Sequence, residues 1–397
     1  MLIEIKGVQF VNKGAELMLM AIIEKVELIW PEAEICLQPR LNSSFKQRAK
    51  LGALQRLHLR KGLLDLNRIS YFIPQKFRDY LRRAWGVVME ADIDIILDAS
   101  GFSYGDQWPD VSLIQTAKEA RRFKQNNKHY IFMPQALGPF STLKNRKWAK
   151  VAFESASFVF ARDEISSQQV SAIAEQAKTI VSPDFTNLVA PSLDPKYEYL
   201  AGSVAIIPNS KMLSKQNPNK AWRESYLKVL TNAISVLQQN GHQVFLLNHE
   251  GESDIKLCQS INKLFDDKLT IVSPDDALQV KAIIGQCALT VCSRFHGCVS
   301  SLSQGIPCIG TSWSHKYEQL FDEYQQTEML LSADITPKEL SILVDSTLAS
   351  LVPISQQLQA SSKFYKEKVE RMWSVIEELI NSPEPPNKRT PSKNTLV

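Results

Sequence analysis

The pentapeptide Ser293-Arg294-Phe295-His296-Gly297 carries the side chains best suited to chemistry. An arginine is a permanent cation whose planar fork matches a carboxylate or a phosphate. A histidine two residues further on titrates near neutral pH and can give or take a proton. The apolar run Ala288-Leu289-Thr290-Val291 precedes the pentapeptide, and a small-residue segment ending at Gly305-Ile306-Pro307 follows it. That order predicts a strand, a turn and then a helix. It sets the cation and the imidazole at the carboxyl end of a strand, the edge where open α/β sheets bind ligands. The pairing suits an anionic substrate that also needs a proton donor.

Similar clusters close the other apolar runs. In the first half they are Asn12-Lys13-Gly14, Ser100-Gly101, Pro134 to Pro139, Ala161-Arg162-Asp163 and Ser182-Pro183-Asp184. In the second half they are Pro208-Asn209-Ser210-Lys211, Asn248-His249-Glu250 and Thr311-Ser312-Trp313-Ser314-His315-Lys316. The runs that must position them alternate between strand and helix patterns, which argues for parallel sheets. Strands are predicted at 2–10, 35–37, 93–97, 130–133, 158–160, 180–181, 203–207, 243–247, 269–272, 289–292 and 308–310. Helices are predicted at 15–28, 113–126, 226–240, 277–285 and 299–304. A long helix over 356–380 should bury one face made of Phe364, Tyr365, Val369, Met372, Trp373, Ile376 and Leu379.

The expected division is a first Rossmann-like domain over 1–195, a second over 196–350, a helix over 351–381 that packs back on the first, and a disordered tail over 382–397. A chain of 397 residues is too long for one ordinary core. Hydrophobic content of 44% with 22% charge is that of a soluble globular protein. The net charge of +4 calls for no nucleic acid but suits anionic small molecules or a membrane surface. The six cysteines show no paired spacing, and four lie in or beside apolar runs, which suits buried thiols rather than zinc ligands. Neither a signal peptide nor an apolar run of roughly 20 residues stands out, so the expected location is the cytoplasm. The segment from Phe72 to Val88 mixes Lys76, Arg78, Arg82 and Arg83 with Phe77, Tyr80, Leu81 and Trp85 at helical spacing. It reads as a solvated helix with one buried face, the alternative being a helix laid on an anionic membrane.

The chain resembles the polysaccharide pyruvyl transferases. The resemblance is carried, in order, by Asn12-Lys13-Gly14-Ala15-Glu16, Gln135-Ala136-Leu137-Gly138-Pro139, Ala161 to Ser166, Ser182-Pro183-Asp184, and Ser293 to Gly297 followed by Gly305-Ile306-Pro307. The family usually shows an acidic residue where Ala15 stands. The resemblance implies a GT-B-like fold: α/β, with two doubly wound Rossmann-like domains facing across a cleft. It implies transfer of a pyruvyl group from phosphoenolpyruvate to a sugar as a ketal, with neither metal nor organic cofactor. The acceptor would be a sugar nucleotide, a lipid-linked oligosaccharide or a polysaccharide, and peripheral contact with the inner membrane face goes with the alternative reading of the 72–88 segment.

Two anionic groups on such a donor need several cations or helix N-termini. Arg294 and Arg162 are the expected forks, and Lys316 and Lys211 add point charges. His296 is the expected acid toward the methylene carbon, and Asp184 or Glu250 would orient a sugar hydroxyl. Asn12, Gly14, Glu16, Ser100, Gly101, Gln135, Asn209, His249, Gly297 and His315 complete the expected lining, with backbone amides at Gly14 approaching a ligand. Plainer readings compete. Arg294 could cap a helix or pair with a carboxylate, Arg162 could pair with Asp163 or Glu164, and Asp184 could cap a turn. At the level of function the rivals are a glycosyltransferase or sugar-nucleotide epimerase of the same architecture, and a non-catalytic glycan-binding or assembly protein.

Overall fold

The computed structural model describes residues 1–382 apart from 216, 313 and the side chain of His315. From residue 383 on, the expected tail lies outside the described residues.

The first half runs β1 (Leu2–Lys6), α1 (Lys13–Ile29), β2 (Glu34–Leu37), α2 (Phe45–Lys50), β3 (Leu54–Arg56), a hairpin of β4 (Arg60–Lys61) and β5 (Leu64–Asp65), α3 (Gln75–Trp85), β6 (Val87–Val88), β7 (Ile95–Asp98), α4 (Asp110–Gln125), β8 (His129–Gln135), α5 (Leu143–Ser155), β9 (Phe158–Ala161), α6 (Glu164–Ser171) and β10 (Thr179–Val181). The second half runs β11 (Val204–Ile207), α7 (Lys220–Gln239), β12 (Val244–Leu247), α8 (Gly251–Lys263), β13 (Thr270–Val272), α9 (Ala277–Gly285), β14 (Leu289–Cys292), α10 (Phe295–Leu302), β15 (Cys308–Thr311), α11 (His315–Glu323), β16 (Leu330–Leu331) and α12 (Pro337–Ala349), and α13 (Leu351–Asn381) closes the chain.

Two parallel sheets result, ordered β10-β9-β8-β7-β1-β2-β3-β6 and β13-β12-β11-β14-β15-β16. Central strands such as β7 and β11 are buried at every position, as expected of apolar runs covered by helices on both faces. Each sheet reverses its strand order at one place, between β1 and β7 and between β11 and β14. A crevice opens at such a reversal because the two connections leave toward opposite faces. This is the GT-B arrangement of two Rossmann-like units.

Several elements differ from the sequence expectation. Strand β1 stops at Lys6 rather than Phe10. Strand β8 continues through Pro134, and its register with β9 shifts between Phe132 and Gln135, because proline has no N–H to give the ladder. Helix α10 begins at Phe295 rather than Val299, and His315-Lys316 open α11. Helix α8 was not anticipated, although Leu257, Cys258 and Ile261 recur at helical spacing on its buried face.

Helix α13 joins both cores. Its Leu358 packs in the second-half cluster, whereas Val369, Met372, Trp373 and Ile376 share a cluster with Leu17, Ile22 and Phe185. Phe364, expected on the buried face, is 51% exposed because it lies off that stripe by about half a turn. Trp373→Ala should therefore cost about 3–5 kcal/mol in urea unfolding, and Phe364→Ala less than about 0.5 kcal/mol. Equal losses for the two would contradict the assigned helix face.

Candidate functional site

The two strand-order reversals face each other. Asn12 caps α1, its side-chain oxygen accepting from the amides of Gly14 (2.9 Å) and Ala15 (3.2 Å). Those amides thus serve the helix's own cap and not the ligand expected from sequence. Gly14 lies against His296, and any Cβ there would collide with the imidazole. The glycine is needed so that the first half can approach α10. Gly297 has the same kind of reason, since a Cβ would meet the Cys292 sulfur at 2.6 Å.

Ser293 anchors the motif from below. Its hydroxyl accepts from Tyr226 (2.7 Å) and Thr311 (2.8 Å). Its carbonyl accepts from the Asn209 amide (2.9 Å) and the Tyr317 hydroxyl (3.0 Å). Asn209, expected in the cleft lining, is thus a buried tie beneath the motif.

Arg294 departs most from expectation. Its Nε and Nη2 donate to both oxygens of Asp254 at 2.8 and 2.6 Å, and its Nη1 pairs with Glu250. Asp254 also accepts from the Ser210 amide, and Glu250 accepts from Asn12 Nδ2 at 3.0 Å. The guanidinium expected to grip the donor is therefore held by two carboxylates, because a buried cation must be paired where it sits. The result is a continuous chain, Asn12–Glu250–Arg294–Asp254, from the first half into the second. Asp254→Ala, which strands the arginine, should cost about 3–5 kcal/mol in denaturant unfolding. A loss under about 1 kcal/mol would show that Glu250 alone suffices.

Arg162, Asp184, His296 and Lys316 gather around the Phe295 ring. The Arg162 guanidinium lies 4.2 Å and the Lys316 ammonium 4.8 Å from its centroid. Asp184 accepts from the amide (3.0 Å) and hydroxyl (2.6 Å) of Thr186, and so does cap a turn. Its other oxygen lies 3.6 Å from His296 Nε2 and 3.8 Å from Arg162. Burial would raise the Asp184 carboxyl, but His296, Arg162 and the Thr186 hydrogen bonds more than offset it and hold it low. Burial pushes His296 down to about 4, aided by Arg162, Lys316 and Lys281 and opposed by Asp184. Burial likewise pushes Lys316 down to about 7, helped by Arg162, Lys211 and Arg294. Among the described residues, Arg162 Nη2 and His296 Nε2 have no hydrogen-bond partner. The site therefore has excess positive charge, unspent donors and a neutral imidazole that a bound anion would protonate.

The remaining expected residues divide. His249 is buried, with its imidazole held well below the usual range by burial and by Arg294 and His296. Lys211 follows on the exposed rim. Glu16 pairs with Lys13 at 2.7 Å, and the Lys13 ammonium also reaches the Asp275 carbonyl across the cleft. Ser100 and Gln135 bond to the side chain and carbonyl of Asp98, so both act within the first sheet. Gly101 turns at a φ of +70° beside Met18. The His315 side chain lies outside the described residues. Among the described residues no three His, Cys, Asp or Glu side chains converge as metal ligands.

Sequence reasoning missed Phe295 as the ring between two cations, although it stands inside the motif. It also missed Asp254, on the unanticipated α8, and Lys281. Lys281 is fully buried on α9, is pushed down to about 7 by burial, and donates to the Thr186 carbonyl at 2.6 Å.

Solved structures with this fold include a putative UDP-N-acetylglucosamine 2-epimerase from Listeria monocytogenes, at 11% identity and a TM-score of 0.58, covering 98% of this chain and 99% of that one. The UDP-GlcNAc 2-epimerase of Methanocaldococcus jannaschii is similar at 12% identity and a TM-score of 0.58, over 95% and 99% of the two chains. An Anabaena protein in complex with UDP-glucose is similar at 14% identity and a TM-score of 0.55, over 96% and 99%. At such identities the likeness concerns the fold alone. No curated protein matches the chain significantly. The sequence model of polysaccharide pyruvyl transferases matches residues 12–315, from the Asn12 cap through the opening residue of α11, and the chain belongs to that family.

Proposed function

We propose that this protein transfers a pyruvyl group from phosphoenolpyruvate to a sugar of a cell-surface polysaccharide, such as an exopolysaccharide, or of its precursor, releasing phosphate. One observation carries the reading within this family. Arg162 and Lys316 flank Phe295 beside His296, and among the described residues Arg162 Nη2 and His296 Nε2 have no hydrogen-bond partner. A carboxylate and a phosphate on one small substrate would satisfy that charge. The Arg294 fork, already paired, is assigned to holding the motif rather than to the donor.

In the proposed scheme the bound oxyanions draw a proton onto His296. The imidazolium gives that proton to the methylene carbon, leaving C2 electrophilic. A sugar hydroxyl adds to C2 and passes its proton to the imidazole, which Asp184 orients. The C2–O bond to phosphate breaks, a second hydroxyl closes the ketal, and its proton leaves with the phosphate. Phosphoenolpyruvate is a substrate here, and the scheme uses no resident cofactor. The acceptor is a sugar nucleotide, a lipid-linked oligosaccharide or a polysaccharide, met in the cytoplasm.

A nucleoside-diphosphate-sugar reaction is the second reading, favoured by the fold neighbours whose names include UDP-GlcNAc 2-epimerases. Phosphate release from phosphoenolpyruvate with sugar acceptors separates the two, and turnover of a nucleotide sugar alone would overturn the proposal. His296→Ala should lower turnover by about 10²–10⁴, a loss larger than any weakening of donor binding. The charged form of Lys316, which titrates at about 7, binds the donor better, so affinity should fall as pH rises above that value. Calorimetry in buffers of differing ionisation heat should show proton uptake on binding at neutral pH. Lys316→Met should reduce that uptake, and unchanged uptake would remove Lys316 from the donor site.

A further inference from the structure

Helix α3 is built inside out. None of its residues is fully buried. Its protein-facing side carries Arg78 and Arg82, which pair with Asp92 (3.4 Å) and with Glu34. Phe77 (52% exposed) and Tyr80 (59%) lie on the outward side with exposed Lys76 and Arg83, and Trp85 (71%) is exposed at the last residue of the helix. Phe72, just before the helix, is 85% exposed. Of the apolar residues expected on a buried face only Leu81 is half-buried, because the arginines find carboxylates on the domain and share the inner side with it.

Burying aromatics in the core would remove them from water, so a helix that turns them outward beside cations gains little unless something else covers them. The carboxylates Asp92 and Glu34 are already paired, and Asp79 beside Lys76 and Arg83 offsets one of those two cations, which leaves the outward face with a small positive excess. A second copy docked by a two-fold axis would bring Lys76 and Arg83 of both chains onto one contact, like charge against like. An anionic bilayer fits both components, with aromatic rings at the headgroup boundary and cations against the headgroups. Among the described residues no helix is long and apolar enough to cross a membrane, so the contact is peripheral.

We propose that α3, with Phe72, docks this protein on an anionic membrane surface. The docking holds whether or not the chain transfers pyruvyl groups, because it is read from binding and not from turnover.

Flotation of the full chain with phosphatidylglycerol–phosphatidylcholine vesicles tests it, against vesicles of phosphatidylcholine alone. The chain should float with the anionic vesicles, at least about tenfold more tightly than with neutral ones, and less so in high salt. The combined Phe77→Ser, Tyr80→Ser and Trp85→Ser variant should lose flotation with an unchanged melting temperature. The combined Lys76→Gln and Arg83→Gln variant, which alters two exposed residues, should weaken it roughly fivefold per cation removed. The proposal is overturned if the intact chain fails to float with anionic vesicles, or if both variants float as well as it does. It is also overturned if the intact chain sediments as a dimer that the serine variant dissolves.

Discussion

A buried guanidinium sets the terms for the rest of the site. Arg294 leaves a strand end in the second sheet and has almost no contact with water, so its charge must be paired where it lies. Asp254 from α8 supplies two oxygens, and Glu250, at the cap of the same helix, supplies the next. Glu250 in turn takes the Asn12 amide from the opposite half. The demand of one cation therefore fixes the approach of the two halves. That approach is close enough that only glycine fits at position 14 against His296.

The same closeness determines the chemistry on offer. Three further cations, Arg162, Lys316 and Lys281, lie near His296, where the Asp184 carboxylate opposes them. Packing so many like charges into a poorly solvated space lowers the proton affinity of both the imidazole and the Lys316 ammonium. Such a site is least comfortable without an anion. An anion bound there would raise the proton affinity of both groups, so anion binding and proton uptake would be one electrostatic event.

The surface follows a related rule with a different outcome. In α3 the carboxylates Glu34 and Asp92 draw arginines inward, and the aromatic residues are left outside. In both places ion pairing on the protein side decides which groups remain available to a partner. At the cleft these are Arg162 and His296 donors, and on α3 they are aromatic rings with flanking cations.

Alternation of apolar runs with helical patterns was enough to place most strands, because each run is buried on both faces and tolerates little else. Local chemistry also carried the family motifs and the long closing helix. The ends of elements were less legible. Helix α10 starts at Phe295 because Gly297 lets its first turn lie on Cys292, a contact between residues that spacing alone cannot pair. Residue types told that an arginine and a histidine stood at a strand end beside each other. Only the tertiary structure decided that the arginine would hold the halves together and the histidine would face the cations. The physical reason is that pairing energies depend on which carboxylates arrive from distant segments, and Asp254, Glu250 and Asp184 come from places the motif does not encode.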